Sequence, residues 1–257
     1  HRQKAWRKRK KITASGAASA AAAAGGAAGV AGAAAAAGGG VAGKYASYSN
    51  NVFRNNDRLP EYHELSQRDG ATFTPTQKAS IYYYSCENGK YSYKSVNGFL
   101  RDPQHQLSSG ESKEVLQRQI DALTDCLNGK SLDRQAKLYR GVKSLSDVLG
   151  EDISNCSPDE VAQKYTGVEY VDRSFTSATC SQAVAQRFAD ASFKKDPAII
   201  QIRAPKGTNA AFIGSASSFG ETEYEVLVQR NARFRIEKIK YMNQQYYVTL
   251  TLLGIFS

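Results

Sequence analysis

From Ala136 onward the chain is a succession of short stretches rich in β-branched and aromatic residues. They read "AKLYRGV", "EYVDRSFTS", "AIIQIRA", "NAAFIG", "YEVLVQ", "RFRIEKIKYM" and "QQYYVTLTLLGIF". Such runs, punctuated by Gly, Asn, Asp and Pro, predict strands. Helix-period signals lie mostly upstream. In "ESKEVLQRQIDALTDCLNGK", Val115, Leu116, Ile120, Leu123 and Leu127 share one helical face, and Asn128-Gly129 is a stop signal. "TPTQKASIYYYSC" predicts a helix starting after Pro75. "PDEVAQKY" and "SQAVAQRFAD" predict shorter helices, with Pro158 in a first turn and Ser181 as an N-cap. The Asn- and Tyr-rich segment 44–65 reads as loop. Helices come first and strands later, so the class is α+β rather than alternating βαβ. No Gly-x-Gly-x-x-Gly joins a strand to a helix and no Walker A loop is present, which gives no support to a Rossmann or P-loop nucleotide site.

Charge divides the chain at residue 43. Residues 1–43 carry seven of the 34 Lys and Arg and no acid. The remainder holds 27 basic against 24 acidic groups and is close to neutral. A nucleic-acid partner is therefore not expected, because that reading wants a basic face on the folded domain. The leader couples "HRQKAWRKRKK" to a long Ala/Gly run. The run is too long and too rich in Gly for a signal-peptide core, and too poor in transfer energy for a membrane span. It reads as a low-complexity linker, as a segment suited to passing unfolded through a narrow, negatively lined pore, or as a weak membrane or phosphate contact. Cys86, Cys126, Cys156 and Cys180 form no Cys-x-x-Cys, and only three His are present, so four reduced thiols and no metal site are expected.

Three pieces carry chemistry. "LYRGV" places Arg140 near a strand end, where its planar fork suits a diphosphate, with Gly141 beside it to admit a ligand. "RSFTSATCSQAVAQRF" puts small hydroxyl residues before a helix, an ordinary N-cap pattern, or else a place for Ser177 to orient a carboxylate, with Phe188 facing the same cleft. "FIGSASSFGETEYEVLV" reads as strand, loop, strand, and strand alternation would put Glu223 and Glu225 on one face. Two adjacent carboxylates repel, so the arrangement does nothing for stability by itself.

In this order the pieces resemble the bacterial ADP-ribosyltransferase toxins of the Arg–Ser–Glu class, over about residues 135–241. The matches are Arg140, "FTSAT" and "ETEYEVL"; Ala178-Thr179 departs from the usual Thr-Ser. The resemblance implies two packed, mainly antiparallel sheets around an NAD cleft, flanked by N-terminal helices. It implies NAD as co-substrate, with Arg140, Gly141, Ser177, Phe188 and Glu225 around it. Glu225 would stabilise the ribosyl cation, Ser177 would hold Glu225, Glu223 would serve the acceptor and Phe219 would help recognise the target. Glu221 reads as loop surface. Residues 44–257 would form the catalytic domain, helical over 44–130 and mainly β over 131–257.

The basic Ala/Gly leader ahead of a transferase body further resembles the C-terminal effector of a Tc toxin of the TccC type. That architecture implies a monomer carried in a toxin cocoon, secreted with its parent and threaded unfolded through a translocation channel into the host cytosol. The expected target is actin first and a Rho-type GTPase second. The Glu-x-Glu pattern implies an arginine acceptor, with threonine open. An NAD glycohydrolase using the same site, and a non-enzymatic module with a basic tail, are the other readings.

Overall fold

The computed structural model describes residues 59–102, 104–190 and 196–256. The leader expected over 1–43, and residues 44–58 of the expected catalytic domain, lie outside these. Among the described residues four helices come first: α1 (Tyr62–Thr72), α2 (Pro75–Ser85), α3 (Tyr93–Arg101) and α4 (Lys113–Asn128). Strand β1 (Ala136–Val142) follows, then α5 (Leu145–Leu149), α6 (Pro158–Tyr165), β2 (Glu169–Asp172), β3 (Thr176–Thr179) and α7 (Gln182–Ala189). The chain ends on β4 (Ala198–Ala204), β5 (Ala210–Phe212), β6 (Glu225–Val228), β7 (Ala232–Met242) and β8 (Gln245–Ile255).

Local chemistry explains most of these boundaries. A capping box opens α2: Thr74 Oγ1 accepts from the Gln77 amide, Gln77 Oε1 accepts from the Thr74 amide, and Pro75 takes the first turn. Ser112, Ser157 and Ser181 cap α4, α6 and α7. On α4 the predicted stripe is buried at Leu116, Ile120, Leu123 and Leu127, with Val115 at its edge.

Two expectations are corrected. The segment read as loop up to Leu65 already contains the first turn of α1, where Tyr62 and Leu65 are buried. The stretch "EYVDRSFTS" is two strands. Asp172 Oδ1 accepts from the Ser174 amide (3.0 Å) and from Ser174 Oγ (2.6 Å), a side-chain turn that ends β2 and redirects the chain into β3.

The strands hydrogen-bond in the order β2-β7-β8-β4-β1-β3-β6-β5, with every pairing antiparallel except β4–β8. The expected two sheets are two halves of this order. Five strands, β2 to β1, and three, β3 to β5, are joined by one register pair, Tyr139 with Thr179. The halves share one core, in which Leu138, Ile200, Phe234 and Leu250 meet Ala178, Phe212, Val226 and Val228. The N-terminal helices cover the other face of the three-stranded half, through Ile81, Leu116, Ile120 and Leu123 against Phe175, Ala211, Ile213 and Leu227. Helix α7 packs on the five-stranded half at Tyr139 and Ile199. No helix among the described residues is long and apolar enough to cross a membrane.

Candidate active site

The single-pair junction between β1 and β3 leaves a cleft. Its lining includes Arg140 and Gly141 from β1, Ser177 from β3, Phe188 from α7, and Glu223 and Glu225. Six of the seven residues singled out in the sequence thus meet in one place. Phe219 does not; it lies exposed just before the turn that carries Glu223. Tyr139, Ala178 and Thr179 complete the wall. Sequence reasoning missed Tyr139 and noted Thr179 only as a departure from a motif.

Register brings Ser177 to Glu225. On β3 and β6, Ser177 lies opposite Leu227 and Thr179 opposite Glu225, so Ser177 and Glu225 are diagonal neighbours on one face. The longer glutamate side chain spans that diagonal, and Ser177 Oγ donates to Glu225 Oε1 at 2.5 Å. The Glu225 carbonyl is fixed as well, accepting from Tyr62 Oη (2.7 Å) and from the Ile213 amide (3.1 Å). The carboxyl is buried, which pushes its pKa up, while hydrogen bonds from Ser177 and Ser217 oppose the shift.

Glu223 reaches the same cleft by a route the strand argument did not foresee. It ends a 3-10 turn, Gly220–Glu223, and β6 begins only at Glu225. Between the two glutamates Tyr224 adopts the left-handed conformation (φ 48°, ψ 42°), uncommon for a residue with a side chain. Its ring stands edge-on to Tyr62, centroids 5.4 Å apart, and its carbonyl accepts from the Cys180 amide at 3.0 Å. Thr179 Oγ1 donates to the Glu223 carbonyl at 2.6 Å, so this departure from the family motif holds the acidic turn. The Glu223 carboxyl is pushed up to about 8, first by burial and then by the charge of Glu225, with Arg187 opposing.

The packing of α7 gives a further reason for glycine at 141. A Cβ there would lie 1.9 Å from the Ala185 carbonyl oxygen and 2.8 Å from Phe188 Cβ. The missing side chain is filled by α7, and this contact sets Phe188 at the cleft. Arg140 Nε is buried and has no hydrogen-bond partner among the described residues, a donor left for something else.

A second arginine, not singled out in the sequence, has the same property. Arg101 ends α3, fully enclosed, and its Nη2 donates to Ser174 Oγ at 2.5 Å and stands 3.6 Å from Asp172 Oδ1. Its Nε and Nη1 are buried and unpartnered among the described residues. Burial lowers its pKa, Asp172 opposes this, and the positive charge of Arg140 adds to the lowering. Of the two, Arg140 lines the cleft, and its free buried donor fits an anionic ligand there. Only the Arg of "FLRD" could have signalled the enclosed Arg101, and Arg at a helix end is usually unremarkable.

Among the described residues no group of His, Cys, Asp and Glu could hold a metal ion, and the four cysteines are free.

Comparison with solved structures places this fold among bacterial ADP-ribosyltransferases. Plx2a, a toxin from Paenibacillus larvae, superposes with a TM-score of 0.61 at 18% identity, over 76% of this chain and 94% of that one. The C3 exoenzyme of Clostridium limosum gives 0.59 at 16% identity, over 78% and 97%. The toxin BECa of a binary enterotoxin of C. perfringens, solved with NADH, gives 0.61 at 21% identity, over 77% and 49%. No curated protein matches the chain in a sequence search. The sequence profile described as ADP-ribosyltransferase exoenzyme matches residues 42–253, well over half of the chain, and this chain belongs to that family.

Proposed function

We propose that the chain is the enzymatic part of a toxin that transfers ADP-ribose from NAD to a host cytosolic protein, actin first and a Rho-type GTPase second. The observation that carries this reading is the Ser177–Glu225 hydrogen bond in a cleft that also gathers Glu223, Arg140 and Phe188. Arg140 offers its free donor to the NAD diphosphate, and Phe188 presents a ring to the nicotinamide. The glycosidic C–N bond breaks and nicotinamide leaves with the electron pair. Glu225, held by Ser177, stabilises the positive charge that develops on the ribose. An acceptor nitrogen then forms the new bond to the anomeric carbon, and Glu223 takes its proton.

An arginine acceptor suits Glu223 in particular. Its carboxyl is pushed up to about 8 in the cleft, and an arriving guanidinium favours the ionised form that accepts a proton. Residues 44–257 are the catalytic domain in this reading. The leader is a threading segment of a parent Tc-type toxin.

The test is transfer of labelled ADP-ribose from NAD to proteins of a eukaryotic cell lysate, with Glu225→Gln and Glu223→Gln alongside. A band near the mass of actin or of a small GTPase, lost with Glu225→Gln, is the expected result. With Glu223→Gln the band disappears while NAD is still cleaved. No NAD cleavage by the folded wild-type chain would remove the enzymatic reading.

A further inference from the structure

The 3-10 turn that carries Glu223 has little within itself to hold it in place beyond the hydrogen bond from Thr222 Oγ1 to the Phe219 carbonyl (2.8 Å), and on the sheet side Thr179 holds only its last carbonyl. It is four residues long, it has no side-chain cap, and such turns have poor hydrogen-bond geometry. Its position must be set from outside. The segment before it is stitched to the N-terminal helices. The Gly214 amide donates to Tyr62 Oη (3.1 Å), the Ser215 amide and Oγ donate to Ser66 Oγ and the Ser66 carbonyl (both 2.8 Å), and the Ser218 amide donates to Ser85 Oγ (2.7 Å).

Within the turn, Glu221 reaches helix α1. Gln67 Nε2 donates to Glu221 Oε1 at 3.0 Å, and Glu221 Oε2 is bonded to His63 Nδ1. His63 and Gln67 are four residues apart, so they stand on one face of α1 and form a two-point socket. The fit is close: a Cβ on Gly214 would lie 3.1 Å from both Cα and Cγ of Glu221. In a turn of three residues per revolution, positions 221 and 223 point to different sides. One side meets α1 and the other meets the cleft.

We propose that Glu221 is a positioning residue: docked in the His63–Gln67 socket of α1, it holds the turn so that Glu223 stands in the cleft. This deepens the reading of Glu223 as the acceptor-side glutamate and rests on it. Glu221 touches neither NAD nor acceptor. Its carboxyl agrees with this placement: burial pushes the pKa up, but His63, Gln67 and Ser66 hold it below the usual carboxylate range. His63 is mostly exposed, and an exposed pair adds little to global stability. Its effect is therefore local.

The experiment uses the full chain with Glu221→Ala, His63→Ala and the double substitution. Amide hydrogen exchange over 214–224 reports the tether, and NAD cleavage without acceptor and ADP-ribose transfer to lysate protein report the chemistry. Each single variant speeds exchange in that segment and leaves the β-core unchanged. A displaced Glu223 lowers transfer roughly tenfold, with NAD cleavage kept within about twofold, since misplacement acts on the acceptor step alone. The double variant is no worse than Glu221→Ala, because Glu221→Ala already removes the partner of His63. Unchanged exchange overturns the tether. Faster exchange with transfer and NAD cleavage falling together overturns the positioning of Glu223. If the wild type cleaves no NAD, the enzymatic reading fails, while the exchange result still decides whether the socket holds the turn.

Discussion

Replacing Ser177 by Ala removes one oxygen from the cleft and leaves the β3–β6 register in place. The lost contact is a 2.5 Å hydrogen bond to the buried carboxyl of Glu225. Hydrogen bonds to charged groups contribute about 1.5–3 kcal/mol, and each 1.4 kcal/mol is a factor of ten. The ionised form of Glu225 loses that support, and with it the charge that faces the ribosyl cation. Burial already pushes the Glu225 pKa up, and Ser177 is the first of the two hydrogen bonds opposing the shift. Without it the pKa rises further. NAD cleavage at neutral pH should therefore fall about 10- to 100-fold in kcat/KM, and the acid limb of the pH–rate profile should move to higher pH. Raising the pH should recover part of the loss. Steady-state NAD cleavage from pH 5 to 9 measures both effects. A loss of the same size at every pH would refute the argument, because Ser177 would then orient Glu225 without favouring its charge.

Gly141→Ala tests the contact between β1 and α7. The new methyl would fall 1.9 Å from the Ala185 carbonyl oxygen, backbone that cannot swing aside, so urea unfolding should show a loss of at least about 1–3 kcal/mol. Unchanged stability would mean that α7 is free to shift. Glu223→Gln tests the buried proton. The folded pKa is raised to about 8 from 4.5, so the wild type holds a proton that the unfolded chain releases. Its stability is intact below about 4.5 and falls as pH rises through about 8. Glutamine carries no such penalty, and its advantage in urea unfolding should grow by about 1–2 kcal/mol between pH 5 and 9, after allowance for solvent at the half-open cleft. An advantage that does not grow with pH would contradict the burial of this carboxyl.

The β region was legible because its strands are long in β-branched residues and bounded by turn formers. "AKLYRGV" and "AIIQIRA" coincide with β1 and β4 residue for residue. The break inside "EYVDRSFTS" was hidden because it depends on the Asp172 side chain competing for backbone amides. Helices α1 and α3 were hidden for another reason. The first, "YHELSQRDGAT", has two large apolar residues at its start and then a polar run, so no stripe emerges. The second, "YKSVNGFLR", carries Asn97 and Gly98, both weak helix formers. Both are held by tertiary contacts: Tyr62 by Phe212 and Tyr224, and Asn97 by Tyr84 and the Phe175 carbonyl. The cleft residues were legible as types in order. Arg101, Tyr139 and the Glu221 socket were not, because their roles arise from elements distant in sequence.

The glutamate pair shows how distant elements complete what the local motif begins. Two carboxylates two residues apart in a buried cleft cannot both be ionised without support. The fold treats them unequally. Glu225 receives Ser177 from β3 and Ser217 from the preceding loop, which favour its charge. Glu223 has only its carbonyl held by Thr179, and its carboxyl takes the burial and the repulsion. Burial pushes both carboxyls up, Glu223 further through the charge of Glu225, while the two serine hydrogen bonds favour the charged form of Glu225. Different surroundings assign different tasks to the same side chain. Glu225 suits a cation that forms in place, on the ribose. Glu223 suits a group whose arrival releases the proton. The left-handed Tyr224 lets both reach one cleft, and its packing on Tyr62 makes α1 part of that geometry. The helical part of the chain is thus a component of the site, since α1 supplies one of the two donors to the Glu225 carbonyl and, beside Thr179, an anchor for the Glu223 turn.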